Sequence, residues 1–161
     1  MNQAQIHLAL NHFPIAGAFL AIIFLIWGLI GKKDDIKLMA AALILISSVA
    51  VLPVYFSGEG AEEIVEHKPF VTKELIHPHE EAAETALVVY ALSALLTVAW
   101  IVMKKKNIGP EKAVYFSLIG MMAITSVLMA KTAHLGGQIR HDELRPVPPQ
   151  VQFERSVPPK D

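Results

Sequence analysis

Four stretches of this chain contain no charged residue and are mostly apolar: residues 13–31, 38–58, 85–103 and 113–130. They are 19, 21, 19 and 18 residues long. A helix rising about 1.5 Å per residue needs about 20 such residues to cross a hydrocarbon core about 30 Å thick. Four of them in succession within 161 residues argue against the buried helices of a soluble protein. The pattern predicts an all-α membrane protein, a four-transmembrane-helix antiparallel bundle. A short extramembrane helix and an extended C-terminal tail complete it. With their polar turns included, the spans cover about residues 10–31, 37–57, 80–103 and 112–134. They form one domain, 1–140, and residues 141–161 form the tail.

Composition agrees with a lipid environment. Hydrophobic residues make up 53% and charged residues 18%, below the roughly 25% of a soluble domain. The net charge of −1 gives no ground for a nucleic-acid partner. Without cysteine, disulfides, thiolate metal sites, Cys-ligated iron–sulfur clusters and covalent c-type haem are all excluded. Residues 1–31 contain no Lys or Arg, so the first apolar stretch reads as a retained helix rather than a cleaved signal.

Charge is distributed unevenly between the connectors. The turns GKKDDIK and KKKNIGPEK hold seven of the 14 basic residues. The long connector from Glu59 to Glu84 carries eight Glu beside only Lys68 and Lys73. The positive-inside rule therefore places both short loops in the cytoplasm, and the N-terminus, the long connector and the tail outside. In a bacterial inner membrane that outside is the periplasm.

Short turns pair the first helix with the second and the third with the fourth. Pro53 predicts a kink or an end in the second helix. AEEIVE, 61–66, predicts a short helix of its own, and His77-Pro78 an extended or turn dipeptide before a third helix starting at 78–81. Gly136-Gly137 predicts the stop of the fourth helix. Five of the ten prolines lie in the tail, which excludes a helix or a central strand there. No convincing residue repeat relates the two hairpins.

All seven histidines, His7, His12, His67, His77, His79, His134 and His141, fall on the outer side. Counted up from the cytoplasmic lysines, His12 stands 20 residues above Lys32, about 30 Å. His134 stands 22 residues above Lys112, about 33 Å. His79 is 25 residues from Lys104, about 37 Å, and His7 sits about 7.5 Å above His12. Two layers follow: His12 with His134 below, and His7 with His79, joined by His67, above. Imidazoles from facing helices are how bundles hold haem or metals.

HLALNHFPIA, SGEGAEEIVEHKPF, HPHEEAAE and AHLGGQIRH resemble a large bacterial family of four-helix integral membrane proteins of unknown function. The resemblance reaches to about His141, and HFP, HEEAAE and HLGG are its most specific parts. It implies the four-helix fold and a role for His12, His79 and His134, and no particular activity.

Three functions fit these residues. The first is a haem-b-binding protein or subunit of a membrane redox complex, passing electrons from quinol to a partner on the outer side. His12 and His134 are its first axial pair, His79 and His7 its second. The second is a divalent-metal site for zinc, copper or iron, built from His7, His12, His67, His79 and His134 with Glu59, Glu63 or Glu80. The third is an assembly subunit whose acidic cap and proline-rich arm bind a partner, in a larger complex or homo-oligomer. No compact catalytic signature such as HExxH occurs, so a binding or electron-transfer subunit is expected rather than a stand-alone enzyme. The spans hold no buried Asp, Glu, Lys or Arg, their four apolar stretches being uncharged, which argues against an ion pathway.

Overall fold

The computed structural model describes residues 1–145, and these are helical almost throughout. The elements are α1 (Gln3–Leu10), α2 (His12–Ile30), α3 (Asp34–Val65), α4 (Lys73–Lys106) and α5 (Glu111–Arg140). A 3-10 turn, Asp142–Leu144, follows. α1 and α2 together, α3, α4 and α5 are each long and apolar enough to cross a membrane. The chain is thus a multi-pass, all-α membrane protein.

α2 packs against α3 and α5, and α4 against α5 and α3, which closes a ring of four antiparallel helices. The outward surface is apolar: Ile46, Val49, Leu95 and Val127 are all about two-thirds exposed. That surface suits hydrocarbon, where burial of apolar side chains no longer drives packing. The interior instead collects small and hydroxylated residues. Ser93 Oγ lies 3.0 Å from Thr125 Oγ1 between α4 and α5. The Tyr90 hydroxyl donates to the Pro14 carbonyl at 3.3 Å, and that of Tyr115 to the Leu25 carbonyl at 2.8 Å. Both tyrosines thus tie the second hairpin to α2. Gly17 lets α2 approach α3 so closely that a Cβ there would overlap the Ser47 side chain.

The two hairpins are related by position rather than by residue identity. Ala18, Ala21, Leu25 and Gly28 are buried on α2, and Tyr90, Ser93, Thr97 and Trp100, one constant shift along the chain, are buried on α4. A second constant shift relates buried Ala40, Ile44, Ser47 and Val51 on α3 to buried Leu118, Met122, Thr125 and Met129 on α5. Ala18 stands where α4 has Tyr90 and Gly28 where it has Trp100, while Leu25 stands against the smaller Thr97, so the repeat does not show at the level of residue identity.

At the lysine-rich end, Asp34 bridges two elements. Its carboxylate accepts from Lys37 Nζ at 3.0 Å and from Lys104 Nζ at 2.8 Å. Beside it, Trp100 Nε1 donates to Glu111 Oε1 at 2.9 Å, and the Trp100 and Tyr115 rings lie 5.1 Å apart.

Several helix ends differ from the sequence reading. Pro53 and Pro78 lie inside α3 and α4. Each removes one backbone bond, but buried Val51 and Ser57 flank Pro53, and buried Ile76 and Ala82 flank Pro78. Tertiary packing on both sides keeps each helix running. AEEIVE therefore continues α3, and α4 begins five residues before Pro78. Gly136 and Gly137 do not end α5, which runs on to Arg140. Asn11 stands between α1 and α2 but keeps helical dihedrals and donates its backbone N–H to the His7 carbonyl at 3.0 Å, and α1 packs on α3. Of the tail, 141–145 is described and folds back as a 3-10 turn; the rest of that reading lies outside the described residues.

Candidate histidine site in the outer cavity

α3 has 32 residues and α4 34, about 48 and 51 Å, so their ends project beyond a hydrocarbon core of about 30 Å. Between these projections, α1 and the end of α5 lies a cavity of about 1430 Å³. This exceeds the ~300–1,000 Å³ typical of small-molecule sites. Ile15, Val51 and Met129 line it towards the bundle, and Glu59, Glu62, Lys68 and Arg140 towards the helix ends; Ile76, Glu80 and Glu84 line it from α4.

His7 and His79 meet in this cavity. Their ring centres lie 6.4 Å apart and their planes cross at 81°. Each ring is held the same way. His7 Nδ1 donates to the Val54 carbonyl on α3 at 2.9 Å, with Ser57 Oγ 3.3 Å from the same nitrogen. His79 Nδ1 donates to the Thr132 carbonyl on α5 at 3.0 Å. Four residues beyond each accepting carbonyl stands a glycine, Gly58 or Gly136. A side chain there would lie against the ring: a Cβ on Gly136 would come 3.0 Å from His79 Cε1, and one on Gly58 3.8 Å from His7 Cε1. Glycine therefore uncovers the carbonyl one turn before it. The two arrangements occupy equivalent positions in the two hairpins. With Nδ1 used as the donor, Nε2 is the free nitrogen of each neutral ring, the second-sphere pattern that orients a metal-ligating histidine.

The remaining histidines stand apart from this pair. His12 lines the cavity, but it is exposed, and its Nδ1 donates to the Leu8 carbonyl at 3.1 Å. His134 is exposed, and its Nε2 accepts from Gln138 Nε2 at 3.2 Å. His67 is exposed and donates to the Glu63 carbonyl at 2.7 Å. His77 and His141 lie beside Glu81 and Glu143 at 3.4 and 3.2 Å. Of the two layers, only the upper one brings its α1 and α4 histidines into ring contact. Among the described residues no three His, Asp or Glu side chains form a group able to hold a metal ion by themselves.

The cavity also has polar structure of its own. Glu62 on α3 and Glu80 on α4 are hydrogen-bonded carboxyls, and this bond holds Glu62 above the usual carboxylate range. Arg145 donates to the Gln138 and Ile139 carbonyls at 2.9 and 3.2 Å, capping α5, and to the Phe70 carbonyl at 2.9 Å in the α3–α4 connector. Gln138 Nε2 also donates to the Leu144 carbonyl at 3.3 Å. The capping glycine signal therefore has a different meaning here: a guanidinium caps the helix, and Gly136 seats His79. Asn11, at the α1–α2 junction, lines the cavity with its Oδ1 buried and without a hydrogen-bond partner among the described residues.

No family model, curated protein or solved structure matches this chain.

Proposed function

We propose that this protein is a haem-b-binding electron-transfer protein or subunit of the bacterial inner membrane, in which His7 and His79 would hold the haem iron. One observation carries the reading: the 6.4 Å separation of two anchored, positionally equivalent imidazoles. Rings at this separation could both reach one metal about 2 Å from a nitrogen of each. The donor count favours haem. A structural zinc site draws four protein ligands, whereas haem brings its own nitrogens and could be held by two imidazoles.

The sequence elements that carry the family resemblance converge on this cavity. Pro14 of HFP, His79 and Glu80 of HPHEEAAE, and Gly136 of HLGG all line it. In the orientation given by the lysine-rich loops, the cavity faces the periplasm. Bound there, the haem would exchange single electrons between membrane quinol and an acceptor on the outer side. The chain's own part is to fix both rings through Val54 and Thr132 and to exclude water with the apolar side chains of the lining.

The test is the visible spectrum of the protein purified from haem-sufficient cells, oxidised and then reduced with dithionite. A Soret band with sharp reduced α and β bands is expected. A featureless spectrum contradicts the reading.

A further inference from the structure

The two halves of the cavity are equivalent at the histidines and opposite at the mouth. One turn beyond Gly58, α3 carries Glu62; one turn beyond Gly136, α5 carries Arg140. Thr132, Gly136 and Arg140 are spaced four apart and so share one face of α5. The first two meet the His79 ring, through the Thr132 carbonyl and the contact at Gly136. Arg140 therefore rises from the same face, about 6 Å further out.

Arg140 and Lys68 both line the cavity, and neither side chain has a hydrogen bond or ion pair among the described residues. Arg145, by contrast, spends its guanidinium on three carbonyls. Its bond to Phe70 draws the connector that carries Lys68 to the end of α5 that carries Arg140. Arg140 on α5 and Lys68 in the α3–α4 connector are thus two uncommitted cations lining one cavity. Glu62 on α3 is already joined to Glu80 on α4, with Lys73 close enough to act on it.

We infer that the cavity takes a ligand bearing carboxylates, which Arg140 and Lys68 bind, so that the ligand enters in one orientation despite the two-fold likeness of the histidines. An arginine fork matches a carboxylate, and a lysine supplies a second point charge. Glu62 on α3 and Glu80 on α4 repel the same carboxylates. This rests on the haem reading and narrows it to a macrocycle whose acid groups are free, as against a neutral quinol at the same histidines.

The experiment loads the full-length, detergent-solubilised apoprotein with iron protoporphyrin IX or with its dimethyl ester, in which both carboxylates are blocked. The wild type is expected to bind the diacid roughly tenfold or more tightly than the diester, the scale of one or two charge-assisted bonds. Arg140→Gln with Lys68→Gln should abolish that preference while the saturated variant keeps the wild-type spectrum, which also reports its fold. Equal affinity of the wild type for diacid and diester overturns the inference and leaves the haem reading standing. So does a double variant that keeps the preference. Failure of the wild type to bind either macrocycle overturns both.

Discussion

Gly136 on α5 makes the berth for His79 on α4: a Cβ at Gly136 would stand 3.0 Å from Cε1 and 3.2 Å from Nδ1 of that ring. The ring reaches the Thr132 carbonyl because nothing projects from the helix one turn later. Gly136→Val is expected to expel the ring, to cost about 1–3 kcal/mol as an overpacked contact, and to reduce bound haem severalfold. Haem-to-protein ratio and thermal unfolding check it. Gly58→Ala, with 3.8 Å of clearance from His7, should be far milder.

Helix packing inside the bundle gives a second test. A Cβ at Gly17 collides with Ser47 across the α2–α3 contact. Gly17→Ala should therefore destabilise the protein by about 1–3 kcal/mol, although alanine is the better helix former by roughly 1 kcal/mol. Adding Ser47→Gly should return most of the loss. Detergent unfolding of the single and double variants measures this; no rescue means that the α2–α3 approach is not limited by this pair.

Arg145 joins the end of α5 to the α3–α4 connector through the Phe70 carbonyl. Removing it leaves the Gln138 and Ile139 carbonyls to water and frees the connector. Arg145→Ala is expected to raise amide exchange in residues 67–72 and 141–145 severalfold, with the helices between unchanged. Hydrogen-exchange mass spectrometry reads this directly. Uniform protection in the variant would show that the bond to Phe70 restrains nothing.

At the lysine-rich end, hydrogen bonds from Lys104 and then Lys37 hold Asp34 below the usual carboxylate range. A carboxyl with a depressed folded-state pKa contributes stability above its unfolded value, near 4, and loses it as pH falls through the lower folded value. Asp34→Asn should therefore unfold more readily at neutral pH and show a weaker acid dependence below about pH 4. The effect should shrink in high salt, because Asp34 is exposed and its pairs are screened. Unfolding temperature against pH, for both proteins at two ionic strengths, is the measurement.

The bundle was legible in the sequence because uncharged length is what a bilayer demands, and the lysine turns separate one span from the next. Helix ends were less legible. Pro53, Pro78 and the Gly136-Gly137 pair are local stop signals; packing on both sides overrides the prolines, and the helix runs past the glycines to an end that Arg145 caps. The histidines show a subtler limit. Residue counts from the lysines give height along a helix but not direction around it. His12 and His134 share a height, yet both are exposed and each bonds along its own local chain. His7 meets His79 from α1, which packs on α3. The spacing of Gly58 and Gly136 after their carbonyls was present in the sequence. Its meaning needed the rings that approach those carbonyls from other helices.

The most direct test of the His7–His79 pairing compares four single variants, His7→Ala, His79→Ala, His12→Ala and His134→Ala, by reduced-minus-oxidised spectra at equal protein concentration. The account predicts that the first two lose the bis-histidine α band and most of the haem, while the last two retain both. Full haem content in His7→Ala and His79→Ala, with loss in His12→Ala or His134→Ala, would contradict it.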